Sequence, residues 1–271
     1  MLARRLLPVE FQYFNDRYGA PFGRHQFVVD TADRVGGPLA GVLRTSAARR
    51  WRGPFAFQWN TRTRTYEYPW VHHQVAALGP SRVLEIGGAL SGLQFALAAE
   101  GHDVHNVDPF LDYGDGAYTV DPIAEHAALN RAFRTDVTLH RSTLPEAALP
   151  GRFDAVVCVS TIEHLTREDI AATLAAAMDA LVPGGLVVLT VDLFLDLAPF
   201  TDRTSNRWGT NVSIGWLQET LGGAELVAGD PDELYGTTGF STEAVLSRLE
   251  EFVMGAEYPQ LAQLVAFRID G

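Results

Sequence analysis

The chain has 271 residues, 47% of them hydrophobic, and a formal net charge of −12, so it can bury one large α/β core with an appendage. All 21 basic residues are arginine, which removes Walker-type nucleotide hydrolysis, Schiff-base chemistry on pyridoxal phosphate and every lysine general base. The acidic balance argues against a nucleic-acid partner, because holding phosphates takes basic charge.

Charge is unevenly spread. Residues 1–70 hold 11 arginines and 5 acids, a net of +6, whereas residues 71–271 net −18. Residues 1–69 show no sustained period and are dense in Gly, Pro, Arg and aromatic side chains, so they read as an irregular cap with short helices. The basic aromatic run Arg49-Arg50-Trp51-Arg52, continued by Trp59, Arg62, Arg64, Tyr66 and Tyr68, keeps an RNA-binding alternative open. A lid or dimer segment packing on the acidic body is the preferred reading. Residues 1–8 lack the apolar length of a signal peptide. The longest apolar region, 181–200, is broken by Pro183, two glycines, Asp192 and Asp196, so no membrane span is expected. Cys158 is the only cysteine and reads as a buried core thiol. A cytoplasmic location is the resulting expectation.

From residue 70 onward, strands and helices alternate. A helix is expected over 70–78, ended by Gly79-Pro80, then a strand over 82–86. Ser91 and Gln94 form a capping-box match opening a helix that Gly101 closes. A strand follows over 103–107, and Asp121 caps a helix with Pro122 at its first position, running to about Arg134. Strands are expected over 137–140 and 154–159. Thr166 starts a helix with Ile170, Leu174, Ala177, Met178 and Leu181 at helical spacing. A strand over 185–192, a helix near 213–221, a strand near 224–228, a helix over 242–254 and a strand over 261–268 complete the set. This alternation predicts a doubly wound, mainly parallel sheet with helices on both faces. The expected organisation is a cap over 1–69 and a nucleotide-binding α/β domain over 70–271.

The segment 83–92, Val-Leu-Glu-Ile-Gly-Gly-Ala-Leu-Ser-Gly, carries the most chemistry. It joins a strand to a helix through small residues, and a second strand ends in Asn106-Val107-Asp108-Pro109, 23 residues beyond Glu85. In such a unit the turn lets backbone approach a ligand, and the acid accepts ribose hydroxyls. The dinucleotide pattern G-x-G-x-x-G is absent, which disfavours a diphosphate. An adenosine ligand without phosphates fits better.

These motifs resemble the class I S-adenosylmethionine (SAM) dependent methyltransferases. Their first signature, an acid followed by glycines at alternate positions, is here Glu85, Gly87, Ala89, Ser91, with the later two glycines replaced. Phe153-Asp154 opens a segment similar to the family's fourth strand. Thr161-Ile162-Glu163-His164-Leu165 is similar to the Glu-His segment of ubiquinone-type O-methyltransferases, and 181–188 to the turn into strand five. The resemblance covers about 66–192 well and 193–271 loosely. It implies a seven-stranded Rossmann-like fold with an antiparallel last strand, and SAM as cofactor. It assigns cofactor contacts to Tyr68, Glu85, Gly87, Gly88, Asp108, Pro109 and Ser160, with Ser142 or Thr143 in place of the family's acid near adenine. His164 becomes the candidate general base, needed only if the acceptor arrives protonated. Tyr118, Asp192 and Trp208 are the candidate acceptor contacts. A metal is not assigned, since Ser160 stands where a ligating glutamate would be.

The expected activity is methyl transfer from SAM to an oxygen or nitrogen of a small molecule, in bacterial secondary metabolism. No nucleic-acid or membrane partner is expected, and a homodimer is the candidate assembly. The alternatives are a SAM-binding enzyme of another reaction, such as a cyclisation or decarboxylation, or a non-catalytic SAM-fold partner subunit.

Overall fold

The apolar runs of the sequence form seven strands: β1 (Arg82–Ile86), β2 (Asp103–Val107), β3 (Thr138–His140), β4 (Phe153–Val159), β5 (Leu181–Phe194), β6 (Glu225–Ala228) and β7 (Gln260–Arg268). A computed structural model describes residues 1–27, 42, 45–110, 121–256 and 258–270. The strands make one sheet in the order β3-β2-β1-β4-β5-β7-β6. β1 pairs in parallel with both β2 and β4, and β7 runs antiparallel between β5 and β6. The seven-stranded doubly wound sheet expected from the motifs is therefore the observed fold.

Alternation along the strands divides the core between the two faces of the sheet. Val83, Ala155, Val157, Val188, Leu264 and Ala266 pack in one buried cluster, and Leu84, Val156, Cys158, Val187, Val265 and Phe267 in the other. Both faces are covered, as a parallel sheet requires. Cys158 lies fully buried, and burial first, then the nearby Glu163 charge, push its thiol up to about 12. It is an inert core residue.

Helices α1 (Val9–Tyr18), α2 (Ser46–Arg52) and α3 (Arg64–Ala76) come from the amino-terminal segment. α4 (Gly92–Ala99), α5 (Pro122–Phe133), α6 (Arg167–Ala180), α7 (Ile214–Thr220) and α8 (Thr242–Leu246) follow. The caps read from sequence are in place: Ser91, Asp121 and Thr166 accept from the backbone N–H groups of Leu93, Ile123 and Asp169. Gln94 does not complete a capping box. Its side chain turns inward instead, for a reason given below. The helix expected over 242–254 is only α8 followed by a short 3₁₀ turn, Leu249–Glu251.

The helix expected to begin at residue 70 begins at Arg64, with Pro69 inside it. A proline there leaves the carbonyl four residues earlier without its N–H partner. That carbonyl belongs to Thr65, and the Asn15 side-chain amide donates to it at 2.9 Å. A residue on α1 thus supplies the bond that Pro69 removes. Phe11, Phe14, Tyr18, Phe55, Tyr66 and Tyr68 of residues 1–69 join the same buried cluster as Val83 and Leu93.

The basic amino-terminal segment also meets the acidic body through charge. Arg49 makes a two-pronged pair with Glu125, at 2.8 and 2.7 Å. Arg17 pairs with Glu100 at 2.9 Å, and Arg4 with Glu233. Among the described residues, no helix is long and apolar enough to cross a membrane.

Candidate active site

Strand register brings the loops of interest level. Ile86 lies opposite Val107 on β2 and Cys158 on β4, so Gly87, Asp108 and Ser160 follow together at the carboxyl ends of adjacent strands. Ligands of open α/β sheets bind at that edge, where strand order reverses.

The turn after β1 packs its backbone closely against neighbouring side chains. Gly87 has φ +66°, and a Cβ there would meet Thr161 Cγ2 at 2.4 Å. A Cβ on Gly88 would meet Glu85 and Asn106 at 2.7 and 2.8 Å. Ala89, at φ +43°, takes the left-handed conformation without being glycine. Three buried side chains brace this turn. Asn106 Oδ1 accepts from Gly88 N at 3.2 Å, and Asn106 Nδ2 donates to the Ala89 carbonyl at 3.0 Å. Gln94 Nε2 donates to the same carbonyl at 3.1 Å, while its Oε1 faces Asn106 Nδ2 and His126 Nε2. Gln94 is drawn inward by that carbonyl, which explains the unformed capping box. Burial pulls the His126 imidazole down to about 4, so it stays neutral and donates to Gln94.

Two acids flank the turn. Asp108 accepts from Ala89 N at 2.9 Å and from Phe110 N at 2.7 Å, spanning Pro109. Burial raises its carboxyl despite those bonds. Glu85 is buried to 1% exposure, and burial together with the Asp108 charge lifts it to about 8. Its Oε2 has no protein hydrogen-bond partner. Tyr68, also buried, donates to Asn60 at 2.7 Å and stands near Glu85 and Ser91.

The other positions read from sequence fall as follows. Thr143 is exposed and caps the Leu144–Glu146 turn, donating to Glu146, and Ser142 is half-buried beside it. Tyr118 lies outside the described residues. His164 is exposed and its Nδ1–H donates to the Trp208 carbonyl. Trp208 stacks on Tyr258 at 4.7 Å, with the Arg207 guanidinium over its ring at 4.3 Å. Among the described residues no group of three or more His, Cys, Asp and Glu is arranged to hold a metal ion.

Beyond β4 and β5 the structure assembles a second buried polar cluster that sequence reasoning only partly found. Arg64 of α3 donates to Glu67 at 2.6 Å and to Ser160 at 2.7 Å. Ser160 and Thr190 donate to the other Glu67 oxygen at 2.6 and 2.5 Å. Burial opposes the Glu67 charge, but Arg64 and these hydroxyls outweigh it and hold its carboxyl low. Next to this satisfied pair sit two further acids. Glu163 accepts from Asp192 N at 3.0 Å, and Asp192 accepts from Gln260 at 2.9 Å and from Tyr258 at 3.4 Å. Burial lifts Glu163 to about 7, and burial with the Glu163 charge raises Asp192 well above the usual carboxylate range. Two signals pointed here: Arg64 and Glu67 are three apart in an aromatic helix, and Asp192 is a lone acid in an apolar strand.

Comparison with known proteins agrees with this geometry. A family model described as a methyltransferase domain matches residues 59–219, more than half the chain. The chain belongs to the class I SAM-dependent methyltransferases. SAM is the cofactor. The fold is shared with a SAM-dependent methyltransferase from Clostridium acetobutylicum (9% identity over 76% of this chain and 91% of that one, TM-score 0.51). It is shared as well with YcgJ from Bacillus subtilis (14% identity, 74% and 99% covered, TM-score 0.50). TehB from Haemophilus influenzae is 15% identical with a TM-score of 0.50, over 73% of this chain and 60% of TehB. No curated protein matches the sequence.

Proposed function

We propose that this methyltransferase methylates a small molecule bound beyond β4 and β5, beneath the amino-terminal segment. The observation that carries the reading is the juxtaposition of two sites at one sheet edge. The turn at Gly87 touches Thr161, and Ser160, one residue earlier, opens the buried polar cluster. A methyl held at the first site faces an acceptor held at the second. Bound SAM supplies an electrophilic methyl on a sulfonium. The protein's share is alignment in a pocket from which water is excluded.

Tyr68, Glu85, Gly87, Gly88, Asp108, Pro109 and Ser160 are proposed to line the cofactor, with Ser142 and Thr143 toward adenine. Trp208, Tyr118 and Asp192 are proposed to line the acceptor. Residues 1–69 act as the roof of that pocket, and residues 70–271 as the SAM-binding domain. Cytoplasmic bacterial secondary metabolism is the proposed setting, with a homodimer as the assembly. Mass analysis of candidate acceptors after incubation with SAM tests the reading. A gain of one methyl supports it, and binding of SAM without any methylated product favours a SAM-fold partner subunit instead.

For a hydroxyl acceptor, His164 is the proposed base, since its Nδ1–H bond to Trp208 leaves Nε2 free to accept a proton. His164→Ala then lowers turnover about 10²–10⁴-fold at unchanged SAM affinity. Unchanged turnover would leave the histidine only a loop-positioning role.

A further inference from the structure

The cluster beyond β4 and β5 has more negative charge and more acceptor oxygens than its protein partners satisfy. Three carboxylates, Glu67, Glu163 and Asp192, share one guanidinium, Arg64, and all three are at most 1% exposed. Arg64 and two hydroxyls are committed to Glu67. Glu163 and Asp192 are left beside one another with no cation of their own. Glu163 Oε2 and Gln260 Oε1, both buried, have no hydrogen-bond donor. Unpaired buried acceptors carry a desolvation cost, and both belong to side chains bonded to Asp192.

An alcohol would offer a single O–H to this site and no charge. An ammonium offers several N–H donors and the missing positive charge. The outward edge of the cluster suits the same ligand. Tyr258 and Trp208 are half-buried and stacked; the Arg207 guanidinium already sits over Trp208, so the Tyr258 ring beside Asp192 is the aromatic surface that a cation would meet. Tyr258 holds Asp192 only through a long 3.4 Å bond, so an incoming N–H displaces little. We propose that the acceptor of this methyltransferase is a protonated amine, seated by Glu163 and Asp192 beside Tyr258. The proposal rests on the methyltransferase reading and narrows it to nitrogen.

The cluster also provides the proton transfer that an ammonium needs before it can react. One N–H proton passes to Asp192 or Glu163, freeing the nitrogen lone pair. The new N–C bond forms as the methyl–sulfur bond breaks, and that bonding pair stays on sulfur. The donor leaves as S-adenosylhomocysteine and the product as a methylammonium, after which the carboxylic acid returns its proton to water. Raised carboxyl affinities for protons in Glu163 and Asp192 suit this exchange. The charged and titratable groups facing the pair are Arg64 and Glu67 from α3, His164 from the turn after β4, and Tyr258 before β7.

The test is calorimetry on the full chain saturated with S-adenosylhomocysteine. The probes are propylammonium, cyclohexylammonium and 2-phenylethylammonium, each beside the alcohol of the same carbon skeleton. At least one ammonium should bind more than about tenfold tighter than its alcohol. Glu163→Gln and Asp192→Asn should each weaken that ammonium more than about tenfold, with S-adenosylhomocysteine affinity unchanged. Equal binding of alcohols, no binding by any ammonium, or full ammonium affinity in both variants overturns the proposal. A variant that fails to bind S-adenosylhomocysteine has lost its fold, and the parent's ammonium-to-alcohol ratio then decides. If the parent itself does not bind S-adenosylhomocysteine, the methyltransferase reading fails, and the acceptor proposal falls with it.

Discussion

Two buried polar clusters lie at the same sheet edge and are built on opposite principles. Beside β1 and β2, neutral amides and a neutral histidine brace the turn: Asn106, Gln94 and His126 form a chain of bonds ending on Gly88 and Ala89. Beside β4 and β5 four ionisable side chains, Arg64, Glu67, Glu163 and Asp192, meet, and Glu163 Oε2 is left without a donor. A neutral network braces its loop without carrying charge until His126 takes a proton near pH 4. Charged ones respond to whatever enters. The contrast is what the proposed pairing of a cofactor site with an acceptor site requires.

The largest expected effect comes from breaking the charged cluster. Arg64→Met leaves Glu67 buried without its cation and should cost roughly 3–5 kcal/mol of folding stability. Urea unfolding gives that number directly, and a loss under about 1 kcal/mol would mean water reaches the cluster. On the cofactor side, Asp108→Asn should weaken S-adenosylhomocysteine by about 1.5–3 kcal/mol, since one charge-assisted ribose bond is lost. Unchanged affinity by calorimetry would remove Asp108 from the ribose site.

A pH series sharpens the comparison further. The Glu85 carboxyl is raised from its ordinary 4.5 to about 8, so the folded chain holds this proton more tightly than the unfolded chain. Its contribution is fully present below about pH 4.5 and is lost as pH rises toward about 8. Glu85→Gln should therefore gain stability relative to the parent across that window. Parallel curves for the two proteins would show that Glu85 ionises freely.

The smallest effect concerns Ala89. Its left-handed backbone should be relieved in Ala89→Gly, raising stability by up to about 1 kcal/mol. A destabilised variant would mean that the methyl's packing outweighs the strain.

Much of this edge was readable in advance because it depends on local chemistry. Strands β1 and β2 fall at the boundaries expected, and Ser91, Asp121 and Thr166 cap their helices as their positions suggest. The start of α3 was not readable. Pro69 signals a break to any local rule, and only Asn15, 50 residues from the Thr65 carbonyl, removes its cost. The charged cluster was hidden for the same reason: the Arg64–Glu67 pair, Ser160, Asp192 and Gln260 are far apart in sequence and meet through tertiary packing. Asp192 and Ser160 were picked out singly, but not as neighbours of Glu67.

The bond from Asn15 to the Thr65 carbonyl has a consequence for redesign. Exchanging amino-terminal segments between relatives is an obvious redesign, yet this segment is not an interchangeable part. Helix α3 carries both Arg64 and Pro69, so a graft cut before Pro69 would separate the proline from the asparagine that compensates for it. A working chimera would have to transplant residues 1–76 as one block, and selectivity and foldability would then be inherited together.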